Sequence, residues 1–125
     1  MKFLIRPVLQ RFLDTTIFIN KQIITEAALI NDSVMQLESY KLIGDAFWWG
    51  RSYDSALVYY DHGLSLAKSV HDINLENEIT LEIANTYRRM KRRQEAITFY
   101  QKAEKLSRLR GDQKKEVKSL TRIAD

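Results

Sequence analysis

The chain has no cysteine, one proline and four glycines among its 125 residues. Without cysteine there is no disulfide, no thiol nucleophile and no cysteine-ligated metal site. So few chain-breaking residues leave little room for long loops and point to a mostly helical chain. No apolar run approaches the ~20 residues of a membrane span. The opening, MKFLIRPVLQRF, has a short apolar run before Arg6 and Pro7. A secretory core needs roughly 7–15 apolar residues, so no signal peptide is expected and a cytoplasmic location is. Glycine-rich phosphate loops and nucleophile elbows are also missing. His62 and His71 stand nine apart, neither with a second histidine at ligand spacing. Carboxylates are plentiful, but none lies in an apolar stretch that would raise its pKa toward catalysis. No enzymatic activity, metal or cofactor is expected.

Hydrophobic residues make up 45% and charged ones 29%, the balance of a globular domain rather than a disordered segment. The length fits one domain with a continuous core. The net charge of +4 conceals an asymmetry. Residues 1–40 carry four basic and four acidic side chains, residues 41–80 three and six, and residues 81–125 thirteen and six. The last third is therefore a +7 lobe, which favours a partner of acidic character.

The strongest positive signal is an internal echo. Tyr40, Ile43, Gly44, Phe47, Ala56, Tyr60 and Gly63 return forty positions later as Thr80, Ile83, Ala84, Tyr87, Ala96, Tyr100 and Ala103. Only Thr80 departs from its counterpart's size class. Two apolar helical patterns separated by a turn make each copy a helical hairpin. Such a unit cannot bury its apolar face alone, so copies are expected to stack. Asn31-Asp32, His71-Asp72 and Gly111-Asp112 also recur forty apart, each Asp placed to cap the following helix. Ser33 with Gln36 has the form of a capping box. These signals predict helices near 33–49, 53–70, 73–91, 93–109 and 113–125. Residues 14–31 read as the second helix of a degenerate unit, with 1–13 a stub of its first helix and Pro7 in a first turn. The domain then divides into units over 1–31, 33–72 and 73–112, with 113–125 a partial repeat or cap. The turn Met90-Lys91-Arg92-Arg93 lacks the glycine and tyrosine of Gly50-Arg51-Ser52-Tyr53, so a looser second turn is expected.

With these residues the sequence resembles the tetratricopeptide repeat family. The large–large–small–aromatic then Ala, aromatic, small pattern is met by Tyr40, Ile43, Gly44, Phe47, Ala56, Tyr60 and Gly63. It is met again by Ile83, Ala84, Tyr87, Ala96, Tyr100 and Ala103. The family's usual period is 34 residues against forty here, which looks like its longer-repeat branch. The resemblance implies an all-α fold of stacked antiparallel hairpins in a right-handed superhelix, about two and a half repeats long. Phe47, Tyr60, Tyr87 and Tyr100 would fill the space between hairpins. First helices would line a concave groove for an extended or helical peptide. That face would hold Lys41, Asp45, Trp48 and Trp49, then Leu81, Asn85, Arg88 and Arg89, then Lys118 and Arg122. Asn85 would hold a peptide backbone, and Lys118 and Arg122 stand where some members hold a terminal carboxylate. Asp45 and Glu82 stand where that clamp has asparagine.

Phe47-Trp48-Trp49 span about 200° of a helix surface and cannot share one core. Phe47 is core by register, while Trp48 and Trp49 either pack on residues 14–31 or stand exposed as binding anchors. The run Arg88-Arg89-Met90-Lys91-Arg92-Arg93 grips acidic peptide or phosphate, or is a solvated helix end complementing the dipole. Nucleic acid is disfavoured, because no aromatic residues interleave with these cations. The favoured expectation is a protein-interaction scaffold. An oligomerisation or sensory segment of a larger regulator, forming a homo-oligomer, is the alternative, and an anion or nucleic-acid binder the third.

Overall fold

The computed structural model describes residues 2–111, with side chains from residue 6 onward. These residues form five α-helices and no strand: α1 (Lys2–Leu29), α2 (Ser33–Trp49), α3 (Tyr53–Ser69), α4 (Ile73–Arg89) and α5 (Arg93–Arg110). Helices α2 to α5 begin where the sequence places them and end within two residues of it. The fold is all-α. The predicted helix over 113–125 lies outside the described residues.

The division of the first stretch into a stub and a helix does not hold, because α1 is one 28-residue helix. Leu13, Thr16, Ile17, Asn20, Ile23, Ile24 and Ala27 form a single inward stripe at helical spacing, and no breaker follows Pro7. Pro7 lies inside the helix, where it removes one hydrogen-bond donor. The forty-residue echo nevertheless extends into α1, since Asn20 and Ala27 are buried as are Tyr60 and Ala67.

Burial repeats with the sequence. Leu37, Ile43, Gly44, Ala56, Tyr60 and Gly63 are buried, and so are Asn77, Ile83, Ala84, Ala96, Tyr100 and Ala103, their counterparts forty positions on. The helix ends repeat as well. Asn31, Arg51, His71 and Lys91 adopt left-handed φ of 57°, 63°, 58° and 66°. At each, the following N–H reaches back across the helix end: Asp32 to Ala27, Ser52 to Phe47, Asp72 to Ala67 and Arg92 to Tyr87, all 2.8–2.9 Å. This closure satisfies carbonyls the helix leaves open. The second hairpin turn is therefore no looser than the first. Gly50 and Met90 have φ of −81° and −79°, which any residue adopts, so the glycine missing at position 90 is not needed.

Asp32 and Asp72 cap α2 and α4 as expected, each side chain accepting from the N–H three residues on at 3.0 Å. Ser33 is the first helical residue, so its capping box with Gln36 gives way to the Asp32 cap. Asp112 lies outside the described residues. Arg92 stands at the N-cap of α5 without a side-chain cap bond.

The chain divides inside α3 into two compact units, Met1–Gly63 and Leu64–Asp125. In the first, α2 packs antiparallel to α3: Phe47 stacks on Tyr59 at 5.6 Å near the turn, and Tyr40 on His62 at 5.7 Å farther along. Leu13 of α1 lies beside Gly50 at the other side of α2. At Gly44 the Tyr60 ring lies directly on the α2 backbone, since a Cβ there would fall 2.5 Å from it. In the second unit α4 and α5 form the matching hairpin, with Tyr87 and Phe99 at 5.5 Å. Its core holds Ala84, Ala96 and Tyr100. Each of these rings finds its partner within its own hairpin.

Candidate interaction site

The outward face of α2 follows from its helical period. Leu37, Ser39, Ile43, Gly44 and Ala46 face inward and are buried. The opposite arc carries Met35, Glu38, Leu42, Asp45 and Trp49. Three large apolar side chains on it are exposed: Met35 at 45%, Leu42 at 46% and Trp49 at 65%. They stand seven residues apart, two helical turns each, so they form one stripe along the helix.

Trp48 and Trp49 separate as consecutive helical residues must. Trp48 is half-buried and meets Tyr53 of α3 edge-on at 6.2 Å, while Trp49 meets Trp48 edge-on at 5.1 Å and faces solvent. Tyr53 thus closes the base of the hairpin.

Asp45 and Asn85, forty apart, do the same job in their two hairpins. Asp45 accepts a hydrogen bond from the Tyr60 hydroxyl, and Asn85 Oδ1 accepts one from the Tyr100 hydroxyl at 2.6 Å. Both tyrosines are buried, so each needs an acceptor for its polar tip. Asn85 therefore uses its amide oxygen inside the hairpin. Burial pushes the Asp45 carboxyl above its ordinary pKa, against the lowering effects of the Tyr60 hydrogen bond and the nearby Lys41 charge. The expectation that no carboxylate lies where its pKa would be raised fails at Asp45, which is partly buried in the folded chain.

Lys41 is half-buried beside this pair. In the second unit Leu81 packs on the Ala84–Ala96–Tyr100 cluster, so it contributes mainly to the core rather than to an outward face. Arg88 and Arg89 are exposed in the last turn of α4, where cations complement the helix dipole. Arg92 is committed locally, bonded to Glu95 at 2.6 Å and lying over the Tyr87 ring at 5.2 Å. Lys118 and Arg122 lie outside the described residues. Met35 and Leu42 were not among the expected site residues. Their seven-residue spacing with Trp49 was the available signal, masked because each also fits an ordinary amphipathic pattern.

Among the described residues no group of three or more His, Asp or Glu side chains is placed to hold a metal. No helix there is long and apolar enough to cross a membrane.

No protein-family model matches the sequence, and comparison with curated proteins finds no match. The structure is similar to the crystal structure of BtubC (BKLC) from P. vanneervenii, with a TM-score of 0.72 at 22% sequence identity. The similarity covers 90% of this chain and 48% of that one, so the chain spans about half the length of BtubC. At that identity the likeness concerns the fold alone.

Proposed function

We propose that this chain is a protein-interaction module of the tetratricopeptide type, holding an apolar peptide or helix of a partner along the outward face of α2. It acts by binding and not by catalysis, in the cytoplasm. The observation that carries this reading is the exposed stripe of Met35, Leu42 and Trp49 on a helix whose other side is buried. Aligned apolar exposure of this kind marks interaction surfaces, and tryptophan is prominent among residues that anchor them. The stripe is about 21 Å long, enough for some four turns of a partner helix. Glu38 and Lys41 supply the polar surroundings that fix register, with Asp45 behind them held by Tyr60. On α4, Asn85, Arg88 and Arg89 offer an amide donor and two cations for a more acidic segment.

Peptide-library selection on the purified chain tests the reading. Selected peptides should carry apolar residues at helical spacing and lose about tenfold or more in affinity with Trp49→Ala or Leu42→Ala, at unchanged helicity. Failure to enrich peptides, or indifference to both substitutions, would remove the support.

Self-association is favoured by a separate observation, the exposure of Val8, Phe12, Phe18 and Ile19 on α1. Light scattering over a dilution series checks it, with Phe12→Ser expected to dissociate any dimer and Trp49→Ala to leave it intact.

A further inference from the structure

The second unit contains a groove of its own. It is formed by the end of α3, the beginning of α4 and the later part of α5, and encloses about 250 Å³. Leu64, Phe99 and Leu106 supply its apolar surface, and Lys68, Lys102 and Lys105 its cations. Glu76 and Thr80 complete the wall. The Thr80 hydroxyl is occupied by the Glu76 carbonyl at 2.7 Å. Lys102 Nζ sits 4.4 Å from the Phe99 ring centroid. None of the three lysines has an ion-pair partner among the described residues.

The groove arises at Thr80, the core position of the echo where the second copy departs from the size class of the first. In the first hairpin the position equivalent to Thr80 is Tyr40, and the one equivalent to Lys102 is His62. There the Tyr40 ring stacks on His62 at 5.7 Å and occupies this place in the hairpin. With threonine in place of tyrosine, the second hairpin has a cleft where the first has a ring. The cleft is smaller than the ~300–1,000 Å³ of small-molecule pockets, so it suits one large side chain.

We propose that this groove docks an acidic peptide segment of a partner protein, with one aromatic or aliphatic side chain in the cleft and flanking carboxylates on Lys68, Lys102 and Lys105. Charge decides the occupant. Three lysines against Glu76 leave the groove cationic, and two of them, Lys102 and Lys105, belong to the last third of the chain, which carries +7. Carboxylates gain ion pairs on this partly apolar surface, whereas the net charge of +4 on a second copy of this chain disfavours that occupant.

The test titrates isotope-labelled protein with the blocked peptide EEEFEEE and follows amide shifts by NMR. Shifts should concentrate at Leu64, Thr80 and Leu106. Affinity should fall by about tenfold with EEEAEEE, and similarly with Lys102→Glu combined with Lys105→Glu. Thr80→Tyr reproduces the first hairpin and should abolish the cleft and its binding without loss of helicity. Trp49→Ala should leave binding within about twofold, separating this groove from the α2 face. The proposal is overturned if groove amides do not move at millimolar peptide, or if the shifts map to the arginines near Met90. It is equally overturned if EEEAEEE binds as well as EEEFEEE, or if a thymidine oligonucleotide binds as tightly and ignores Thr80→Tyr.

Discussion

Gly44→Ala sets helix propensity against packing at one atom. In a helix interior alanine is favoured over glycine by about 0.8–1.0 kcal/mol. A Cβ at position 44, however, would lie 2.5 Å from Tyr60 Cε1, 2.6 Å from Cδ1 and 2.9 Å from Cζ. Carbon atoms rest near ~3.5–4.0 Å, so the ring must retreat by about 1 Å. Tyr60 is fully buried, and its hydroxyl is held by Asp45, so it has no free direction in which to move. Overpacking of this kind costs about 1–3 kcal/mol, and loss of the hydrogen bond to Asp45 would add to it. After the propensity gain, the net expectation is a loss of about 1–2 kcal/mol, or a fall in Tm of about 3–10 °C for a chain of this size. Urea and thermal unfolding followed by far-ultraviolet circular dichroism measure both. The decisive comparison is the Tyr60→Leu background, which removes the ring. There Gly44→Ala should become stabilising by about 0.8–1.0 kcal/mol. A higher Tm for Gly44→Ala alone, or the same cost in both backgrounds, would refute the clash.

Three further outcomes follow from the helix ends and the buried carboxyl. Lys91→Gly should stabilise by about 0.5–1 kcal/mol, because φ there is 66°, whereas Met90→Gly should destabilise by about 0.8–1 kcal/mol; denaturant midpoints in the opposite order would place the left-handed residue wrongly. Asp72→Ala removes the cap of α4 and should cost about 1 kcal/mol, recovered in large part by Asp72→Ser but not by Asp72→Leu. Asp45 keeps its proton in the folded chain to a higher pH than the ordinary carboxylate value of about 3.9. Between those two pKa values the native state binds more protons than the unfolded one, so Asp45 lowers stability as pH rises through that window, and the loss persists above it. Asp45→Asn, which can accept from Tyr60 as Asn85 does from Tyr100, should be more stable than wild type at pH 7, with the difference shrinking toward about pH 4. Melts across the acid range check it, and a difference that grows as pH falls would contradict the sign.

The order and near-exact bounds of α2 to α5 and the forty-residue periodicity were legible in the sequence, because spacing, capping and helix closure act between residues a few positions apart. Asp32 and Asp72 announce the helices they cap, and the Ala, Gly and Tyr positions announce the inward faces. Some features were misread locally. The expected looseness of the turn at Met90 rested on its missing glycine, whereas the left-handed backbone belongs to the next residue, Lys91. Residues 1–13 fall outside the forty-residue echo, yet nothing after Pro7 ends a helix, so no boundary separates them from 14–29. Other features belonged to tertiary structure from the start. Asp45 and Asn85 read as ligand-facing polar residues, yet each is claimed by a tyrosine fifteen residues away. Leu81 read as a groove residue and packs mainly on the core. Thr80 stood out in the alignment of the two copies, but the cleft beside it exists only because α3 and α5 bring apolar atoms and lysines around the place a ring would fill. The sequence by itself determined where the backbone coils and which stripe turns inward, since hydrogen-bond period and hydrophobic pattern are local. Tertiary structure alone decided which polar atoms are already spoken for and which apolar ones remain exposed, since both depend on neighbours supplied by distant parts of the chain.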